Sequence, residues 1–288
     1  MNAFANDRNL AKRKRKNQVF HALFLLSTLF GVIALLLLFY QILRQGIGWL
    51  DWEFLTHFSS RIPENAGIKA ALLGTVWLMA ITAPFTFVIG VASAIYLEEY
   101  ARDTKLSRFI QTNISNLAGV PSIVYGLLGL TVFVRMFAFG SSILSGALTL
   151  TLLVLPILIV SAQEAIRAVP ASLRHASYAL GGNRWQTVVR VVLPSAFPGI
   201  LTGAILSLSR AIGETAPLIA IGAVGYIAFA PNSVFSEFTA LPIQIYSWSS
   251  MPQEKFQNAA GAGIIVLLIL LLGMNAAAIV LRNKYQKK

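Results

Sequence analysis

Arg210 and Glu214 stand four residues apart inside an otherwise apolar run, in the stretch SRAIGETAPL from Ser209 to Leu218. On insertion scales a charged side chain at the centre of a bilayer costs about 3 kcal/mol, so charges in such a run need a partner or water. A spacing of four places the two on one helix face. Three readings are open: the pair neutralises itself, it lines a water-filled route, or it packs against a charge on another chain. For an oxyanion route the chemistry suits. An arginine stays protonated and offers a planar fork of donors that can engage two oxygens at once. A carboxylate beside it repels the same anion and keeps the site weak enough to release its cargo. Pro217, three residues beyond Glu214, has no N–H for the carbonyl of Gly213 and loosens the helix there. A second stretch, GVPSIVYG, adds Ser122 and Tyr125, three residues apart and able to share a face. Their hydroxyls either line the same route or pack between helices; Gly119 and Gly126 read as packing residues.

Other chemistry is poorly provided for. No G-x-x-x-x-G-K-[ST] segment occurs, so the expected nucleotide cradle is absent. GGNRWQT is glycine-rich but lacks the lysine. His21, His57 and His175 are far apart and form no metal-ligand pattern, and with no cysteine there is neither a disulfide framework nor a thiolate metal site. No serine nucleophile has a histidine at a familiar spacing. The chain is therefore expected to have no catalytic residues, no metal and no cofactor of its own.

The elements that would hold the charged pair are membrane spans. Hydrophobic residues make up 56% of the chain and charged residues 12%, about half the charged share of an ordinary soluble domain. The expected fold is all-α and polytopic. Six apolar segments have the roughly 20-residue length a bilayer requires: 19–43, 68–96, 109–139, 142–162, 196–223 and 259–281. The third is long enough to be tilted, or broken near Pro121. The KRKRK run ahead of the first precedes an apolar stretch too long for a signal peptide, which reads as a retained span. The organisation is a basic tail (1–18), a six-span membrane domain (19–282) and a short basic tail (283–288).

Net charge is +12, and its placement excludes nucleic acid as the natural partner. With the N-terminus in the cytoplasm, seventeen Lys and Arg fall on the inner side, five on the outer side, and Arg210 lies within a span. That bias satisfies the positive-inside rule and puts both termini inside. Trp49, Trp52, Tyr246 and Trp248 in the outer segments suit the membrane–water interface. The loop from Leu97 to Arg108, with Glu98 and Glu99, reads as a solvated inner turn.

The inner loop from Gln163 to Ser195 is long and polar. Two short helices are expected, Ala162–Ala168 ending before Pro170 and Ala171–Leu180 stopped by Gly181 and Gly182, with another helix from Trp185. Such an elbow either lies on the headgroups or is gripped by another protein. HASYALGGNRWQTVVRVVLP (His175 to Pro194) resembles the EAA loop of type I ABC importer permeases, E-A-A-x3-G-x9-I-x-L-P. Ala176 and Ser177 take the alanine positions, Gly181 the glycine, and Leu193 and Pro194 the closing pair; His175 stands where the family usually has glutamate. AGIKAALLGTVWL, GVPSIVYGLLGL, SRAIGETAPL and FTALPIQIYSW are similar, in order, to the PstA-type permeases of phosphate importers.

The resemblance implies a type I ABC importer permease in the bacterial inner membrane. It implies four kinds of partner: a PstC-like second permease, two PstB-like ATP-binding subunits that hold ATP-Mg, a PstS-like phosphate-binding protein and membrane lipid. It makes the EAA loop the ATPase-coupling element and Arg210, Glu214, Ser122 and Tyr125 candidates for the substrate path. Importers of other oxyanions (phosphonate, sulfate or molybdate) are the alternative, and a self-sufficient channel is the reading from a different class.

Overall fold

The computed structural model describes residues 3–286. Met1, Asn2, Lys287 and Lys288, counted above in the two basic tails, lie outside the described residues. The order is α1 (Ala3–Gly46), α2 (Trp52–Thr56), α3 (Lys69–Ile95, continued by a π turn Tyr96–Tyr100), α4 (Lys105–Leu117), α5 (Ser122–Gly129, continued by a π segment Leu130–Met136) and α6 (Ile143–Arg167). Then come α7 (Ala171–Ala179), α8 (Arg184–Thr187, joined through a π segment Val188–Val192 to α9), α9 (Leu193–Gly213), α10 (Ala216–Ala220), α11 (Leu241–Ser249) and α12 (Glu254–Gln286). No strand occurs among them. Five helical stretches are long and apolar enough to cross a membrane, and α4 with α5 makes a sixth if that bent pair is one span.

Small residues set the packing, as they must where lipid supplies no hydrophobic drive between helices. On α9, Gly199 and Gly203 lie against α6 so closely that a Cβ would come within 2.8 Å of Ala165 and 2.5 Å of Ser161. Between α3 and α6, Gly90 faces Leu158 and Gly146 faces Leu78 and Phe238. Thr82 donates a hydrogen bond across this interface to the carbonyl of Ala147 at 3.2 Å. The resulting core holds Ala94, Ala162, Ile166, Val192 and Ile200 near one end and Leu78, Leu150, Leu218 and Phe238 near the other.

Three expectations change. The fifth span does not run to residue 223: α9 stops at Gly213, and the helical stretch that contains it starts at Arg184 instead. The third, expected to be tilted or broken near Pro121, is broken there, with a bend of 105°. Residues 162–168 are no separate helix but the last turns of α6. Trp248 is buried in the core beside Phe54, so it is no interfacial anchor, whereas Trp52 is exposed. From Leu10 to Gln45 no side chain of α1 is buried, and α1 meets the bundle only towards its C-terminal end, on α12.

Candidate translocation site and coupling elbow

The end of α9 is fixed by local chemistry. A helix carried past Gly213 would need an N–H at position 217, and proline has none. Glu214 therefore leaves the helix in an extended conformation (φ −74°, ψ 129°), and Pro217 sits in the first turn of α10 instead of kinking a continuous rod. Arg210, in the last turn of α9, still reaches Glu214: Nε donates to Oε1 at 3.1 Å. The side chain of Arg210 is 44% exposed and that of Glu214 15%. Leu206, one turn earlier on the same face, is also exposed. Arg210 is thus not enclosed in the chain's own core, while Glu214 is largely covered.

Ser122 and Tyr125 come to the same region by the packing of α5 on α10. Gly126 makes this possible, because a Cβ there would lie 2.7 Å from both Pro217 and Ala220. Tyr125 is buried in a cluster with Val154, Ala211 and Ile212, the last two flanking Arg210 along α9. Its hydroxyl donates to the carbonyl of Leu117 at 2.8 Å. That bond bridges the break between α4 and α5 and satisfies a helix-end acceptor. Of the two readings open for Tyr125, route or packing, this hydrogen bond favours packing. Ser122 opens α5, is half-buried, and lies one turn before Tyr125.

At the other end of α9 the sequence makes an elbow. Gly181 takes φ +83°, which a side chain would oppose, and turns the chain out of α7. Asn183 then caps α8: its side chain accepts from Gln186 N while Gln186 Oε1 accepts from Asn183 N. The Ser177 and Thr187 hydroxyls meet at 2.8 Å, with Thr187 fully buried, so the two arms are locked together. At the tip Leu180 is 90% exposed, and Trp185 and Tyr178 are exposed beside it. His175 and Ala176 are exposed as well. Leu193 and Pro194 form the first turn of α9, Leu193 half-buried and Pro194 exposed.

Sequence reasoning missed what ties this elbow to the rest. Glu99 is buried, not solvated, and accepts from Arg174 Nε at 3.1 Å and from Nη2 at 2.8 Å. The same guanidinium caps the carbonyls of Val169 at 2.6 Å and Ile166 at 3.0 Å. Glu98 accepts from Arg167 Nη2 at 2.6 Å and from Gln163 Nε2 at 3.1 Å. Arg184 stacks over the Tyr100 ring at 5.3 Å. The end of α3 is thus stitched to α6, α7 and α8. The available signal was an adjacent acidic pair closing an apolar span in a chain with only 11 acidic residues.

Residues 86–284 match the family described as binding-protein-dependent transport system inner membrane component. The probable ABC transporter permease protein YqgI of Bacillus subtilis is 37% identical over 90% of this chain and 92% of its own. The phosphate transport system permease protein PstA 1 of Mycobacterium tuberculosis is 35% identical over 94% of this chain and 90% of its own. Among solved structures, a bacterial alginate ABC transporter with its periplasmic protein gives a TM-score of 0.65 at 15% identity, covering 91% of this chain and 94% of that one. An inward-facing MetNI methionine transporter gives 0.60 at 22% identity, covering 74% and 94%.

Proposed function

The chain belongs to the binding-protein-dependent inner membrane components, and from that premise we propose that it is a membrane-spanning permease subunit of an ATP-driven importer of inorganic phosphate. It is a multi-pass membrane protein with the fold of type I ABC importer permeases. Its relatives are transport permeases, not enzymes. Phosphate as cargo is supported by the relatives named as phosphate transport permeases, at 29–35% identity over most of the chain.

Arg210 carries the mechanism. It is a permanent cation in the membrane-spanning part of α9, half-exposed on the face turned from the bundle, with a carboxylate 3.1 Å away. Phosphate passing this face meets donors that can take two of its oxygens. Glu214 occupies part of the same guanidinium and weakens the hold, as a conduit requires. Ser122, at the start of α5, adds a hydroxyl near the break in the third span.

A second, PstC-like permease completes the path against this face. Of two ATP-binding subunits, which hold ATP-Mg, one takes the elbow tip formed by Leu180, Tyr178 and Trp185. A phosphate-binding protein delivers its cargo to the outer segments, and both termini lie in the cytoplasm. ATP turnover moves the elbow, and the Glu98–Arg167 and Glu99–Arg174 pairs pass that motion to α3.

Reconstituted with its partners and assayed with labelled phosphate, Arg210→Gln is expected to abolish uptake while the complex still assembles. Normal uptake by that variant removes Arg210 from the path. Competition by sulfate, molybdate or a phosphonate stronger than competition by unlabelled phosphate replaces the cargo with another oxyanion.

A further inference from the structure

Two adjoining cavities, about 310 and 540 Å³, run along α9 and share Phe87 of α3. The first lies between α3, α9 and α12 and is walled by residues such as Pro84, Leu201, Leu208, Met274 and Ala278. Its two polar lining residues face each other, Ser209 donating to Asn275 Oδ1 at 2.6 Å. The rest of the wall is apolar. On α9 the residues that line it, Leu201, Ile205, Leu208 and Ile212, recur every three or four positions. At 100° per residue this face is roughly opposite the one that carries Leu206 and Arg210. If Arg210 faces the path and the second permease, as proposed above and on which this inference rests, the groove faces lipid.

A cation closes the groove at the end of α12. Arg282 lies four residues, one turn, beyond Ala278 and so on the same face. Its Nη1 donates to Thr202 Oγ1 at 3.3 Å, next along α9 to the groove residue Leu201. Its Nε is buried without an acceptor, and no ion pair among the described residues includes it. A guanidinium without a counter-ion, beside an apolar slot, matches an anionic headgroup above an acyl chain. One leaflet holds about 15 Å of hydrocarbon, the length of about ten residues of helix. The interval from Leu201 to Ile212 covers that.

We propose that the groove between α3, α9 and α12 binds one anionic phospholipid of the cytoplasmic leaflet, its acyl chain along Leu201–Ile212 and its phosphate paired with Arg282. Lipid so placed wedges α12 against α9 on the side away from the path.

The test uses the whole complex, purified in mild detergent and mixed with equal amounts of dioleoyl-phosphatidylglycerol and dioleoyl-phosphatidylcholine. Native mass spectrometry is expected to show the tightly held lipid as phosphatidylglycerol by about tenfold, the worth of one charge-assisted contact. Arg282→Gln is expected to bring the two lipids to parity. Ala278→Phe, which fills the slot, is expected to remove both; Leu201→Phe fills it from α9 should the first variant fail to assemble. Millimolar inorganic phosphate should leave the lipid in place. Retained preference in Arg282→Gln, retained lipid in the filled variants, or displacement by phosphate overturns the proposal. Arg210→Gln should keep its lipid, so loss of uptake in that variant tests the path alone.

Discussion

Glu99 and Arg174 show how one buried contact can hold a moving part. The carboxylate takes two N–H donors of the guanidinium, while the remaining donors cap two carbonyls at the end of α6. Removing one partner of such a pair strands the other, at a cost on the order of 3 kcal/mol. Glu99→Ala is therefore expected to lower the thermal stability of the complex and to uncouple ATP hydrolysis from uptake. The double variant Glu99→Arg with Arg174→Glu should regain part of the ion pair but not the carbonyl caps, and so only part of the stability; a thermal melt beside an ATPase-to-uptake ratio checks both. This pair was illegible in the sequence because its members lie 75 residues apart and because acidic residues beside a basic loop look solvated. Arg210 and Glu214 were legible for the opposite reason. They are neighbours in sequence, and an apolar span makes any charge conspicuous. Tyr125 was only half legible: its place beside the pair was suggested by spacing, but the Leu117 carbonyl that accepts its hydrogen bond is presented by a helix break whose geometry one sequence does not state.

Among the elements, the short pair α5 and α10 bears most on the site. They replace what the sequence presents as continuous spans, and they touch at Gly126. Any side chain there meets Pro217 and Ala220 at 2.7 Å, against backbone as well as a methyl group. Gly126→Val is expected to part the two helices and to cost about 2 kcal/mol, as other overpacked sites do. Uptake should fall more than assembly, because the displaced α10 carries the chain that follows Glu214; co-purification and labelled uptake separate the two effects. Long elements were readable because hydropathy sets span length with few exceptions. Their ends were harder. Pro217 announces a disruption but not its kind, and only packing decides between a kinked rod and two helices. The helix Ala171–Ala179 of the elbow was read almost to the residue because its punctuation is local, Pro170 before it and Gly181 and Gly182 after it, whereas the Asn183–Gln186 cap that starts α8 was not read.

At the scale of the whole molecule, a few ion pairs fasten elements far apart in sequence. Lys255, in the first turn of α12, donates to Glu64 in the segment before α3. That hydrogen bond, and the Lys255 charge, hold the Glu64 carboxyl below the usual carboxylate range. A depressed carboxylate contributes to the folded state above its unfolded value and ceases to do so as pH falls through its folded one. Acidification should therefore loosen this fastening, and Glu64→Gln should already be loose at neutral pH. Hydrogen exchange of residues 60–66 between pH 7 and pH 3 reads the difference, which should be absent in the variant. One further property follows from the way α1 is mounted. Its 44 residues make a rod about 66 Å long, and the backbone of Gly46 rests on that of Gly261 with no room for a methyl group between them. A bearing so narrow under a boom so long acts as leverage: a rotation of about 5° at the glycines swings the far tip by about 6 Å. By that geometry, a small change of angle at the foot of α12 would carry the amino-terminal end of α1 much farther than its base.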